Sequence, residues 1–300
     1  MSWVFERVQD AVTDRPSLRV DVDPDTTISA MLRGVGFARW NGAFNRLRGR
    51  RRAVIVMYHS FSPGGKAAIA PDTLRWHLDL IRDAYRVVPL ERLVSALAND
   101  ESTDGLAAVT VDDAYEDFFT VAYPMLCELR LPATLFVPTG LIGGQSDWYD
   151  ERRTPLKIAS AALLRELDPH VVKLGSHTVH HHALAGLHPA TVEKELSRSK
   201  RDLESIVNGP VTLFAYPFGG HDSYTTETVR ALKNVGFLAG VTTRWETYSS
   251  RRELMTLPRI SFRETDTALT VQAKLGGDFD WLCGRQLASR FLRGALNRSL

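Results

Sequence analysis

From residue 53 onward the chain alternates short apolar runs with longer amphipathic stretches. The apolar runs fall at 53–58, 106–111, 133–137, 171–174, 211–216 and 237–242, and each has the length and β-branched content of a buried strand. Between them, 71–85, 90–98, 190–207 and 226–235 carry helical spacing. In 190–207, Val192, Leu196, Leu203 and Val207 keep to one helical face. Residues 115–129 also read as a helix. Strands alternating with helices predict a parallel sheet, either open or closed into a barrel.

The two ends differ from this pattern. Residues 1–52 form an N-terminal extension in which Ile28, Met31, Leu32, Val35, Trp40, Phe44 and Leu47 approximate one apolar face. Arg33, Arg39, Arg46, Arg48, Arg50, Arg51 and Arg52 surround that face with positive charge. Residues 280–300 repeat the theme, with Trp281, Leu282, Phe291 and Leu292 beside Arg285, Arg290, Arg293 and Arg298, and read as a C-terminal helix. Both basic amphipathic segments suit packing on the main domain, 53–300, or peripheral contact with an anionic membrane surface.

Composition narrows the partners. A formal net charge of +2 over 300 residues gives no general attraction for nucleic acid. Cys127 and Cys283 stand far apart without metal-ligand spacing, so no disulfide framework or thiolate metal site is expected. The N-terminus lacks the apolar core of a signal peptide, and no run of about 18 apolar residues occurs. The expected location is the cytoplasm, with the inner face of the membrane as the place where the basic segments would act. Oligomeric state is not legible.

Polar residues cluster where the strands end. His59 follows the first run, Asp112 and Asp113 the second and His177 the fourth, while Tyr216, Pro217, Phe218 and Gly219 follow the fifth. Side chains at the C-terminal ends of several parallel strands converge on one mouth. Two adjacent carboxylates repel unless a cation or water separates them, although Asp112 and Asp113 also suit a helix N-terminus. Four of the nine histidines lie within 177–182, and a looped strand end can bring His177 and His181 to one cation, with a carboxylate completing the set.

The order Thr110-Val-Asp-Asp113, His177-Thr-Val-His-His181 and Phe214-Ala-Tyr-Pro-Phe-Gly219 resembles the polysaccharide deacetylases of carbohydrate esterase family 4, the NodB-homology domain. Met57-Tyr-His-Ser60, Leu131-Pro-Ala-Thr-Leu-Phe-Val137 and Leu257-Pro-Arg-Ile260 further resemble its bacterial exopolysaccharide-associated branch. The likeness runs from about residue 53 to about 267. It implies a distorted (β/α) barrel of about seven strands and a metal-dependent enzyme that removes an N-acetyl group from an N-acetylated sugar, polymeric or lipid-linked. Carried over by motif, Asp113, His177 and His181 are the metal ligands and Asp112 the general base for a metal-activated water. Zn²⁺ is the expected ion, with Co²⁺, Ni²⁺ and Fe²⁺ also suited to such ligands. Tyr216, Pro217, Phe218 and Gly219 are expected to contact substrate, and Arg259, a poor acid because guanidinium keeps its proton, to bind substrate or brace an acidic residue. His180 and His182 are expected in solvent or around the ligands, without a role of their own.

Three departures bear on mechanism. Ala114 replaces the family's usual glycine, which predicts a backbone there that avoids positive φ. Tyr216 stands where many members have an arginine, leaving Asp112 without its cationic orienter, and His59 is the expected replacement. No histidine follows His221, so the proton for the leaving amine is expected from Asp112, His59 or His221. A weakly catalytic carbohydrate-binding scaffold and a two-His-one-carboxylate iron(II) oxygenase are the alternative readings.

Overall fold

Among the described residues, eight parallel strands form the sheet: β1 (Val54–Tyr58), β2 (Arg86–Val87), β3 (Leu106–Val111), β4 (Ala133–Val137), β5 (Val172–Ser176), β6 (Leu213–Ala215), β7 (Ala239–Val241) and β8 (Ile260–Ser261). Their order is β7-β6-β5-β4-β3-β1-β8, with β2 pairing only the start of β3. The computed structural model describes residues 52–62, 67–146, 148, 155–247 and 253–280. The N-terminal extension and the C-terminal helix lie outside the described residues, apart from Arg52 and Asp280. Those two are joined by a 2.8 Å ion pair.

The sheet curls back on itself through one short segment. Leu257 bridges Val241 of β7, and three residues later Ile260 pairs with Val56 of β1. Arg259, between these contacts, donates its backbone N–H to the Arg244 carbonyl at 2.8 Å. The result is the distorted barrel expected from the sequence, with β2 and β8 as two-residue strands that leave almost no periodic signal.

Alternation along the strands separates two apolar clusters. Val54, Val56, Tyr58, Ala107, Val109 and Val111 face outward into the cluster beneath the helices, whereas Ile55, Leu106, Ala108, Phe136, Leu213, Ala215, Ala239, Val241 and Leu257 fill the smaller cluster inside the curl. One helix, α1 (Pro71–Ala84), buries Leu74, His77, Leu78 and Ile81 on one face. Another, α2 (Leu90–Ala98), sends Leu90, Leu93, Val94 and Leu97 into the inner cluster and plugs the end where the strands begin.

The 115–129 stretch is two pieces, a π-helical turn at Phe118–Ala122 and α3 (Tyr123–Leu129), with Pro124 at the junction. A five-residue α4 (Ala161–Arg165) precedes β5. The longest helix among the described residues, α5 (Pro189–Val207), buries Val192, Glu195, Leu196, Ser199 and Leu203. Val207, expected on that face, is exposed at the helix end, and a carboxylate and a hydroxyl occupy the buried stripe instead. Two helices complete the described chain: α6 (Thr226–Asn234), with a Thr225/Thr228 capping box, and α7 (Ala268–Leu275). No helix among the described residues is long and apolar enough to cross a membrane.

Candidate active site

Strand register determines which side chains reach the mouth. Leu106 and Ala108 point into the curl, and Asp112 continues the same parity just past the end of β3. Gly175 lies against the Phe136 ring, and His177 follows two residues later, past β5. Ile55 leads by the same count to His59. Asp112, His59 and His177 therefore converge because each extends an inward-facing row by one step.

Asp113 would point outward by that rule, and an unusual backbone redirects it. Asp113 has φ +71° and Ala114 φ +51°; His181 has +55°, Thr178 +66° and Phe218 +61°. Five of the nine described non-glycine residues with positive φ thus border this mouth, the kind of local strain that surrounding structure must hold in place. Ala114 corrects the expectation drawn from its identity. It adopts the left-handed conformation that glycine favours, despite carrying a Cβ, and its backbone carbonyl accepts from the Ala159 N–H at 2.9 Å. Gly219 has both a conformational and a spatial requirement, since its φ is +59° and a Cβ would lie 2.6 Å from the Thr243 nitrogen.

Asp113, His177 and His181 form a buried triad, each no more than 4% exposed. Asp113 Oδ1 lies 3.4 Å from His177 Nε2 and 3.3 Å from His181 Nε2, and it has no hydrogen-bond partner. Donors about 2.0–2.1 Å from a tetrahedral ion stand about 3.3 Å apart, so Asp113 Oδ1 is spaced from each imidazole nitrogen as one ligand from another. His177 Nδ1 is 2.8 Å from the Ala215 carbonyl, which fixes the tautomer that leaves Nε2 facing Asp113. The residues present therefore fit a divalent metal. Burial opposes ionisation of Asp113, but the two imidazoles outweigh it and hold its carboxyl well below the usual range.

Asp112 has a different partner. Arg259 donates from Nη1 to Oδ1 at 2.7 Å and from Nη2 to Oδ2 at 2.6 Å, a two-pronged contact with both groups buried. The guanidinium is fixed further by Nε to the Thr242 carbonyl at 2.9 Å and Nη1 to the Thr110 hydroxyl at 3.1 Å. Burial raises the Asp112 pKa, and Arg259 overrides it to leave the carboxyl below its ordinary value.

This pair decides one expectation and corrects another. Of the two roles open to Arg259, it braces an acidic residue and does not face a substrate, because it is 0% exposed and holds Asp112. His59 is not the orienter of Asp112: its Nε2 stands 3.8 Å from Oδ2, beyond a hydrogen bond. The segment Leu257–Ile260 closes the sheet beside β1, so an arginine within it reaches across to the end of β3. His59 instead stays at the mouth, part-exposed, with burial lowering its pKa against the pull of Asp112 and Asp113.

Tyr216 also differs from expectation. It is 1% exposed, stacked on Tyr224 at 4.4 Å between ring centres, so it supports the wall rather than meeting substrate. Pro217 and Gly219 are likewise buried. Phe218 alone of that turn projects outward, at 47% exposure, with its ring 4.9 Å from that of His181. Trp148 stacks on His181 with centroids 3.8 Å apart. Two aromatic rings therefore contact one candidate ligand, a surface suited to the apolar face of a sugar.

Sequence reasoning missed Trp148, Asp117 and Glu195. Asp117 Oδ2 accepts from the Ser60 hydroxyl and the N–H groups of Phe61 and Ser62, holding the turn after His59. Glu195 Oε2 accepts the N–H groups of Val179 and His180 at 2.9 and 3.0 Å, holding the histidine loop. A glutamate three residues after Val192 and directly before Leu196, on the apolar stripe of a helix, was a readable sign of a buried carboxylate with a fixed task.

Known proteins match this architecture. The family model described as polysaccharide deacetylase matches residues 99–239. The Bacillus subtilis (strain 168) polysaccharide-deacetylase homologue YxkH is 27% identical over 208 residues, covering 69% of this chain and 70% of its own. Among solved structures, the Streptococcus pyogenes deacetylase PplD in complex with acetate matches with TM-score 0.64 and 25% identity, over 75% of this chain and 99% of its own. IcaB from Ammonifex degensii matches with TM-score 0.65 and 21% identity, over 76% and 97%.

Proposed function

We propose that this chain, whose residues 99–239 match the polysaccharide deacetylase family model, is a carbohydrate de-N-acetylase that works by metal-dependent hydrolysis, in which Asp113, His177 and His181 hold the ion and Asp112 is the general base. The observation that carries this reading is the division of labour between adjacent aspartates. Asp113 presents an unpartnered oxygen to two imidazole nitrogens, while Asp112 is kept apart from them by Arg259. A divalent ion at the triad, most simply Zn²⁺, supplies Lewis acidity that polarises the acetamide carbonyl and makes water nucleophilic at neutral pH.

Asp112 then takes the proton of the attacking water and returns it to the leaving nitrogen. The C–N bond breaks, and acetate and a free amine depart. Arg259 keeps the Asp112 carboxylate ionised and fixed in direction, and a backbone N–H at Phe218, beyond the Tyr216 N–H that is taken by the Val241 carbonyl, serves the developing oxyanion. Phe218 and Trp148 bracket the sugar. The substrate in this reading is an N-acetylated sugar in polymeric or lipid-linked form, met in the cytoplasm or beside the inner membrane face. An acetate-release screen across monomeric, polymeric and lipid-linked N-acetyl sugars tests it, and turnover confined to exported polymer contradicts the location.

His59 gives a separate prediction. It stands 3.8 Å from Asp112 at the open side of the site, where it can assist proton movement but touches no ligand atom of the triad within hydrogen-bond range. His59→Phe is expected to lower turnover by at least tenfold and leave metal content unchanged. Loss of metal in that variant would show that the residue supports the ion or the fold instead.

A further inference from the structure

The outer side of the histidine loop carries a second set of metal donors. His180 and His182 are exposed, and their rings stack with centroids 5.7 Å apart and planes 25° from parallel. Glu195, on α5, is 5% exposed and places Oε1 2.6 Å from His180 Nδ1, a hydrogen bond that ligation would have to open to the roughly 3.3 Å between donors on one tetrahedral ion. One nitrogen from each histidine and one carboxylate oxygen lie within 4.8 Å of one another.

We propose that His180, His182 and Glu195 form a second divalent-cation site, separate from the buried triad and independent of the deacetylase reading. The local backbone explains its placement. His181 turns inward to Asp113 at φ +55°, and its two neighbours are left together on the opposite side of the loop. Two imidazoles and one carboxylate select a borderline ion such as Zn²⁺ over Mg²⁺ or Ca²⁺, which prefer an all-oxygen shell. A fourth position remains open to water.

Glu195 links this site to the catalytic loop. Its Oε2 is occupied by the N–H groups of Val179 and His180, so an ion on Oε1 would tie the outer histidines to the same carboxylate that positions the loop of His177 and His181. A purely structural Glu195 accounts for its bonds to the backbone and to His180. It gives His182 nothing to do, and His182 is therefore the diagnostic position.

The test counts ions. The full chain is stripped with chelator, titrated with Zn²⁺ and followed by calorimetry, with elemental analysis after desalting. Wild type is expected to bind one ion more than His182→Ala, and His180→Ala is expected to match His182→Ala. Acetate release in His182→Ala should stay within about twofold of wild type. Equal ion counts in wild type and His182→Ala overturn the second site. Two ions in wild type and one in His182→Ala support both sites, whereas one and none support this site and count against the buried triad.

Discussion

Asp112→Asn is expected to lower acetate release by about 10²–10⁴-fold, the range general-base catalysis supplies, while the protein keeps its metal. The amide preserves the size of the side chain and one acceptor for Arg259, but it cannot take up a proton at working pH. Asp113, His177 and His181 are unchanged, so ion content should match wild type. The checks are steady-state turnover, elemental analysis and a thermal melt on the same sample. Near-wild-type turnover would remove Asp112 as the base. A parallel loss of metal would mean that the two aspartates are not divided by role.

The second large effect is structural. Arg259→Met is expected to destabilise the domain by about 3–5 kcal/mol, because it strands the Asp112 carboxylate in a site where both partners are at most 2% exposed. The effect depends on pH in a defined direction. Arg259 depresses the folded pKa of Asp112, so the pair stabilises the fold above the unfolded value of about 3.9 and that contribution is lost as pH falls through the folded pKa. In the variant, burial acts on Asp112 with its main opposing charge removed and raises its pKa. The stability gap between the proteins should therefore be widest near neutral pH and shrink on acidification. Denaturant melts at pH 7 and pH 4 measure it, and a gap that is constant or grows toward acid contradicts the pairing. Arg259→Lys should rescue only part of the loss, since an ammonium cannot engage both carboxylate oxygens as a planar fork does.

Much of this fold is legible from periodicity. The runs at 106–111 and 133–137 match β3 and β4, and 90–98 matches α2, because each is a long stretch of consistent character bounded by turn residues. What escapes is set by tertiary contact. β8 is two residues long and exists because Leu257 and Ile260 find β7 and β1 on either side. That same closure carries Arg259 to Asp112, across a sequence separation of 147 that spacing does not reveal. His59 was a reasonable local candidate from the end of β1, yet the barrel supplied a stronger donor from a distant segment. Ala114 shows the converse limit. Residue identity argued against positive φ, and the need to turn Asp113 toward the histidines prevailed.

The candidate ligands were more legible than their supports. Asp113, His177 and His181 stand out as residue types with few structural tasks in common. Asp117, Glu195 and the buried Tyr216 act through hydrogen bonds or packing whose partners are fixed only in three dimensions.

The most direct test of the whole account is acetate release from an N-acetylated sugar by chelator-stripped protein, measured before and after Zn²⁺ is restored. The account predicts no release above background from the stripped chain and recovery once the ion is returned, with Asp113→Asn remaining inactive at the same Zn²⁺ concentration. Undiminished release from fully stripped protein would contradict it.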